Sequence, residues 1–309
     1  MNLEFTADQQ ALLDAVDRIA QHHDSRATLG VALEPSPALR ADLDAAGLFD
    51  AAAVDELGPV AAVGMVMRLA RLPQCVELPA SALLLPLHGA GLPGPAAVLW
   101  GRHDRPARWL PGARTVLWVD GARVRHAALE EDDVEPLDSP FGYPVGRLRA
   151  PDHLTWQPLE VDGSTLTSLW RTALAAEMCG SLGAALAAVV QHVRDRRQFG
   201  QPLGAFQAVQ HRLAGTAVRI QATRWLALQA AHSRTDADAA AAAGYAQQTA
   251  GAAIYDLHQF MGAMGLTLEH PLHRWTTRAK MLRADLGGAE AQYAAAAHAA
   301  WPDPEETPA

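Results

Sequence analysis

The stretch Arg194-Asp-Arg-Arg-Gln-Phe-Gly-Gln-Pro-Leu-Gly-Ala-Phe-Gln-Ala-Val-Gln-His-Arg-Leu-Ala214 decides how the C-terminal half of this 309-residue chain folds. Its arginines close one long helical block, where cations complement the negative end of the helix dipole. Gly200-Gln201-Pro202 breaks the helix, and Phe206 and Gln207 open the next block. On both sides of this turn helical character runs through four blocks, 166–194, 205–232, 237–261 and 272–299, with 233–236 and the glycine-bearing 262–265 loop as the other breaks. At about 1.5 Å per residue each block is on the order of 40 Å long, and short connections between such helices give an antiparallel four-helix bundle. Small residues on its first helix, Gly180, Gly183, Ala184 and Ala185, let a neighbouring backbone come close.

Upstream the punctuation changes. Between 91 and 163 prolines and glycines separate short β-rich runs at 97–100, 115–119, 122–128 and 154–159, and Asp120-Gly121 between two of them signals a two-residue hairpin. Before that, Thr6 and Gln9 form a capping box ahead of Leu12, Leu13, Val16 and Ile19 at helical spacing. A second helix is predicted over 38–46, stopping at Gly47, and apolar helical stretches continue over 60–72 and on toward Leu85. The expected fold is therefore mainly α with a small β region: an N-terminal helical domain (1–90), a middle β-domain (91–163), a C-terminal four-helix bundle (164–302) and a short tail (303–309).

Composition narrows the function. Half the residues are hydrophobic, ample for a large core, which excludes disorder and small disulfide scaffolds. A formal charge of −9 opposes binding along a phosphate backbone, so nucleic acid is not an expected partner. The two cysteines, Cys75 and Cys179, lie in apolar stretches without metal or redox spacing, as buried thiols of a reducing compartment do. No basic-then-apolar leader follows Met1, and no uninterrupted apolar run is long enough to span a bilayer; the expectation is a cytoplasmic protein with no membrane partner. Lys280 is the sole lysine among 25 basic residues, a coding bias and not a functional signal.

Motifs for dinucleotide-binding sheets, P-loops, nucleophile elbows and zinc proteases are absent. His270 and His273 sit three apart but lack a third ligand nearby, and His22, His23 and His258 read as surface or packing residues. The 194–214 segment is the exception. Arginines beside a turn and a helix start, followed by an aromatic and an amide, suit a pyrophosphate attached to a planar base. Spacing alone favours a solvated helix end with Phe199 and Phe206 plugging the core, since charge runs are usually solvated faces.

The run Arg196-Arg-Gln-Phe-Gly-Gln-Pro-Leu-Gly-Ala-Phe-Gln-Ala-Val-Gln210 resembles the signature of the acyl-CoA dehydrogenase family. A second segment, Gln259-Phe-Met-Gly-Ala-Met-Gly-Leu-Thr-Leu-Glu-His-Pro-Leu-His-Arg274, is similar to the family's stretch after the third bundle helix. The resemblance covers the C-terminal half well; the N-terminal helices and the β region agree in order but are shorter than usual. It implies FAD held across a subunit interface, with one subunit's bundle taking the pyrophosphate and adenine end. By residue matching, Arg196 would pair with the pyrophosphate, Gln198 and Phe199 would line the adenosine, and Gln207 would donate from its amide. Gln259, Gly262 and Ala263 would meet the dinucleotide, with Ala263 standing where the family has a second glycine, and Arg171 would lie near the acyl-CoA thioester.

The family reaction needs a carboxylate to take the substrate's α-proton. Counting forward from Gln259, the commonest position of that Glu falls on Leu286, and the alternative position falls on Trp170; neither side chain accepts a proton. Asp285 and Glu290 are nearby acids, with Asp285 a weak substitute, since one step along a helix swings a side chain by about 100°. Glu177 and Glu269 read as structural. The β region also lacks the family's Thr/Ser-rich stretch and its W-[IV]-[ST] motif over the flavin ring. No catalytic residue is therefore assigned, and the chain resembles the base-lacking subunits of the paired α2β2 acyl-CoA dehydrogenases of actinobacterial steroid catabolism. The resemblance implies FAD as cofactor, an acyl-CoA substrate and a second family subunit as partner. Two alternatives stay open: a helical scaffold or regulatory homologue that binds no flavin, and a self-sufficient flavoenzyme using Asp285.

Overall fold

The computed structural model describes residues 4–24, 35–89 and 91–301; the 303–309 tail lies outside the described residues. The N-terminal capping box forms reciprocally. The Gln9 backbone N–H donates to Thr6 Oγ1 at 3.3 Å and the Thr6 N–H to Gln9 Oε1 at 3.1 Å, starting helix α1 (Ala7–Asp24), which buries Leu13, Val16 and Ala20. Helix α2 (Pro37–Ala45) has Ser36 as its N-cap, accepting from the Leu39 N–H, with proline in its first turn. The chain then turns through Gly47 at φ 64°, a left-handed conformation open to glycine. Helix α3 (Gly58–Leu69) is apolar nearly all round and correspondingly buried; the π-helical turn Ala80–Leu84 and α4 (Leu85–His88) follow.

The β region forms two small sheets from β1 (Ala96–Trp100), β2 (Ala107–Arg108), β3 (Thr115–Asp120), β4 (Arg123–Ala128), β5 (Val134–Leu137), β6 (Val145–Leu148) and β7 (Gln157–Pro158). One has the order β1-β3-β4-β7, with β1 parallel to β3, and the other the order β2-β6-β5. The hairpin expected at Asp120-Gly121 is present one residue later, with Gly121 and Ala122 as its loop and Asp120 paired to Arg123. Only Gly121 has positive φ, as a type II′ turn requires of its first central residue. The strand expected over 154–159 contracts to Gln157–Pro158 at the sheet edge, because Pro158 has no N–H to extend the ladder.

The bundle is built from α5 (Gly163–Asp195), the tiny hairpin β8 (Arg197–Gln198) and β9 (Gln201–Pro202), α6 (Gln207–Ser233), α7 (Asp236–Met261), α8 (Leu272–Leu282) and α9 (Gly288–Ala300). Helix α5 is its axis and packs on α3, α6, α7 and α8. By length and composition α5 could cross a membrane, but its most apolar window is 72% buried inside the protein, the place of a core helix. The expected continuous fourth helix is instead two. Leu286, Gly287 and Gly288 all take positive φ, at 51°, 88° and 77°. The carbonyls this break releases are met by buried glutamines: Gln247 Nε2 donates to the Leu282 and Asp285 oxygens at 2.9 and 2.8 Å, and Gln292 Nε2 to the Leu286 oxygen at 2.6 Å.

Of Gly180 and Gly183 on α5, Gly180 is the one that meets a neighbouring backbone. A Cβ there would lie 2.3 Å from the Met67 carbonyl oxygen of α3, whereas one at Gly183 would meet nothing within 4 Å. Gly180→Ala should therefore cost about 1–3 kcal/mol of unfolding free energy by overpacking. Gly183→Ala should be neutral or stabilising by up to about 1 kcal/mol through helix propensity. Urea denaturation of the two variants checks the contrast.

Candidate functional site

In the antiparallel bundle the α5–α6 and α7–α8 connections fall at the same end. Arg196 ends α5, its N–H donating to the His192 carbonyl at 2.8 Å while its side chain stays exposed. Among the described residues no carboxylate lies within ion-pair distance of its guanidinium. The group is felt by His192, whose pKa is lowered first by burial and then by the neighbouring Arg196 charge. Phe199 and Gly200 form the centre of the β8–β9 turn, at φ 54° and 82°. Phe199 is 87% exposed and meets Phe206 edge-on at 6.1 Å between ring centroids, so it is no core plug. Gln198 and Gln207 are exposed on either side of this aromatic pair.

From the second connection, Gln259 is exposed near the end of α7, and Gly262 turns the chain at φ 62°, ψ −146°. Ala263 is exposed and has no positive φ, so the lost glycine costs nothing in local backbone conformation. The structure thus brings Arg196, Gln198, Phe199, Gln207, Gln259, Gly262 and Ala263 to one bundle end. A guanidinium, amide side chains, turn N–H groups and an exposed ring are the donor set that fits a pyrophosphate carrying a flat base. His270 and His273 are used locally: the Leu272 N–H donates to His270 Nδ1 at 3.1 Å, and His273 Nδ1 lies 2.8 Å from the His270 carbonyl. No group of potential metal ligands occurs among the described residues.

A second region lies between the sheets and the bundle. Trp170 of α5 and Asp285 and Leu286 of the α8–α9 break line one cavity of about 440 Å³, together with Trp100 and Arg108. The two positions at which the resemblance places a proton acceptor therefore face one space, as an indole and an aliphatic chain. Asp285 is already engaged: Trp170 Nε1 donates to its Oδ2 at 3.1 Å and Arg108 Nη2 lies 3.5 Å from the same oxygen. Arg171 does not line this cavity; its Nε donates to Gln292 Oε1 at 2.6 Å and so braces the glutamine that holds the Leu286 carbonyl.

Sequence reasoning missed the group that organises this region. Arg108, on β2, donates from Nη1 to Glu177 Oε2 at 2.9 Å, and Tyr143 Oη donates to Glu177 Oε1 at 2.8 Å; all three residues are buried. Burial works against the Arg108 charge, but Glu177 and Asp285 outweigh it and raise its pKa. Burial, and then the Glu177 charge, push the Tyr143 hydroxyl well above the usual phenol range. The Arg108 guanidinium also sits 4.7 Å from the Trp170 ring centroid. Residues 108 and 177 are 69 apart in the chain, and no local pattern announces their pairing.

Comparison with known proteins relates the C-terminal part of the chain to a family. The model of the acyl-CoA dehydrogenase C-terminal domain matches residues 164–300. Acyl-CoA dehydrogenase FadE34 of Mycobacterium tuberculosis is 35% identical over 190 residues, 58% of this chain and 26% of that protein; acyl-CoA dehydrogenase IpdE2 of the same organism is 37% identical over 34% of this chain and 33% of its own length. The chain thus spans about a quarter to a third of these curated relatives. A variant of the Tcur3481–Tcur3483 steroid ACAD superposes with a TM-score of 0.78 at 22% identity, covering 95% of this chain and 97% of that one. At that identity the likeness is one of fold. Residues 164–300 thus belong to the acyl-CoA dehydrogenase C-terminal domain family, and the chain as a whole has the fold of those enzymes.

Proposed function

We propose that this chain is a base-lacking subunit of a flavin-dependent acyl-CoA dehydrogenase. It works in the cytoplasm with an unlike family subunit, in an α2β2 assembly that introduces an α,β double bond into an acyl-CoA. One observation carries the reading: seven candidate dinucleotide contacts share one exposed bundle end, while both candidate base positions, Trp170 and Leu286, are incapable of taking a proton. The two halves of the site have diverged. Arg196, Gln207 and Gln259 would hold the pyrophosphate and adenosine of FAD, whose flavin ring supplies the hydride acceptor when bound. The α-proton acceptor and the ring pocket then belong to the second subunit. That one solved fold neighbour is the Tcur3481–Tcur3483 steroid ACAD supports a lipid or steroid acyl group and an unlike partner.

Co-expression with a full-length family member and co-purification tests this directly. The complex should be yellow, show the flavin absorption maximum and reduce a dye in the presence of an acyl-CoA. The absence of flavin from every combination tried would favour the scaffold reading. A lone chain that is yellow and active, and that loses activity on Asp285→Asn, would overturn the need for a second subunit. The contacts of Asp285 with Trp170 and Arg108 speak for a structural acceptor and against a free base.

A further inference from the structure

We propose that the cleft between α3, α5 and α6 binds a phosphomonoester carrying an apolar arm, at a site separate from the dinucleotide end. The cleft has a volume of about 420 Å³, within the range of small-ligand sites. Three arginines line it, Arg68, Arg71 and Arg224, and no carboxylate does. Arg68 is partly committed, since Asp17 of α1 pairs with it from beside the cleft. Arg71 and Arg224 are not: among the described residues neither has a carboxylate within ion-pair distance.

The two uncommitted cations converge. Both act on the buried thiol of Cys179 at the cleft wall, although burial dominates there and holds that thiol up at about 12. Arg224 is kept in place by rings, its guanidinium carbon 4.5 Å from the Trp225 centroid and 5.8 Å from that of Phe5. Stacking of this kind fixes the plane of a guanidinium while leaving its N–H edge free to donate. Like charges gathered without a counter-charge are unfavourable alone, and a dianionic phosphoryl group with several acceptor oxygens relieves that.

The rest of the lining accounts for the apolar arm. Met67, Leu186 and Ile220 supply aliphatic surface, and Gly183 exposes the α5 backbone to open space. Nothing in this argument uses Arg196 or its neighbours, so it stands or falls apart from the dinucleotide reading.

The probe is 1-naphthyl phosphate, titrated calorimetrically into the full chain, alone or in its complex, with 1-naphthol and inorganic phosphate as controls. Saturable one-to-one binding is expected, with 1-naphthol weaker by about tenfold or more, as loss of charge-assisted hydrogen bonds implies. Inorganic phosphate should compete, but more weakly than the aryl ester. Arg71→Gln and Arg224→Gln should each weaken binding by about tenfold, while Arg234→Gln, at the C-cap of α6 and outside the cleft lining, should leave it unchanged. Gly183→Leu, which fills the cleft, should abolish it in a protein whose circular dichroism is unaltered. Equal binding of 1-naphthol and its phosphate, indifference to Arg71→Gln and Arg224→Gln, or no saturable binding would overturn the proposal.

Discussion

Arg108→Met should lower the unfolding free energy by about 3–5 kcal/mol, the cost of leaving a buried carboxylate without its counter-charge. Among the described residues Glu177 would keep only the Tyr143 hydroxyl as a hydrogen-bond partner, in a position 3% exposed. The double variant Arg108→Met with Glu177→Leu should recover most of that loss, because well-packed apolar groups replace a buried pair at little net cost. Denaturant titrations of the two single variants and the double variant give the coupling energy. Additive losses would show that the pair does not join β2 to α5 energetically. Asp285→Asn should cost much less, since Asp285 keeps 21% side-chain exposure and its Arg108 contact is long.

Arg196→Ala should reduce flavin retention in the co-purified complex by about tenfold or more, the loss of a charge-assisted contact worth about 1.5–3 kcal/mol. The side chain is exposed and, among the described residues, has no ion-pair partner, so its removal should leave the melting temperature of the apoprotein unchanged. That separates ligand loss from unfolding. Arg234→Ala, at the C-cap beyond the other end of α6, is the matched control and should keep full occupancy. Unchanged occupancy in Arg196→Ala would remove the main support for a dinucleotide contact at this bundle end.

Much of this architecture is legible in the residues themselves. The helices announce themselves because their signals are local: Thr6 and Gln9 cap each other, Gly47 ends a helix, and 200–202 turns the chain. The dinucleotide end is legible for the same reason, as its residues sit in two continuous segments. What escapes is non-local. β5 and β6 are four residues each, and Pro136 interrupts the pattern of the first, so pairing across the sheet and not propensity makes them strands. The break of the fourth helix is half visible in Gly287-Gly288, but Leu286 at positive φ is held there by Gln247 and Gln292 from elsewhere in the bundle. The Arg108–Glu177 pair and the Arg71–Arg224 cleft likewise come into being only when distant segments meet.

The manner in which that break is fixed bears on how such a site changes over generations. Both glutamines donate to main-chain oxygens, and none of these hydrogen bonds involves the side chain of residue 286. The loop's shape is thereby decoupled from the chemistry displayed at its apex. Substitution at 286 exchanges one functional group for another without removing a hydrogen bond of that frame, its cost confined to the packing Leu286 makes against the core.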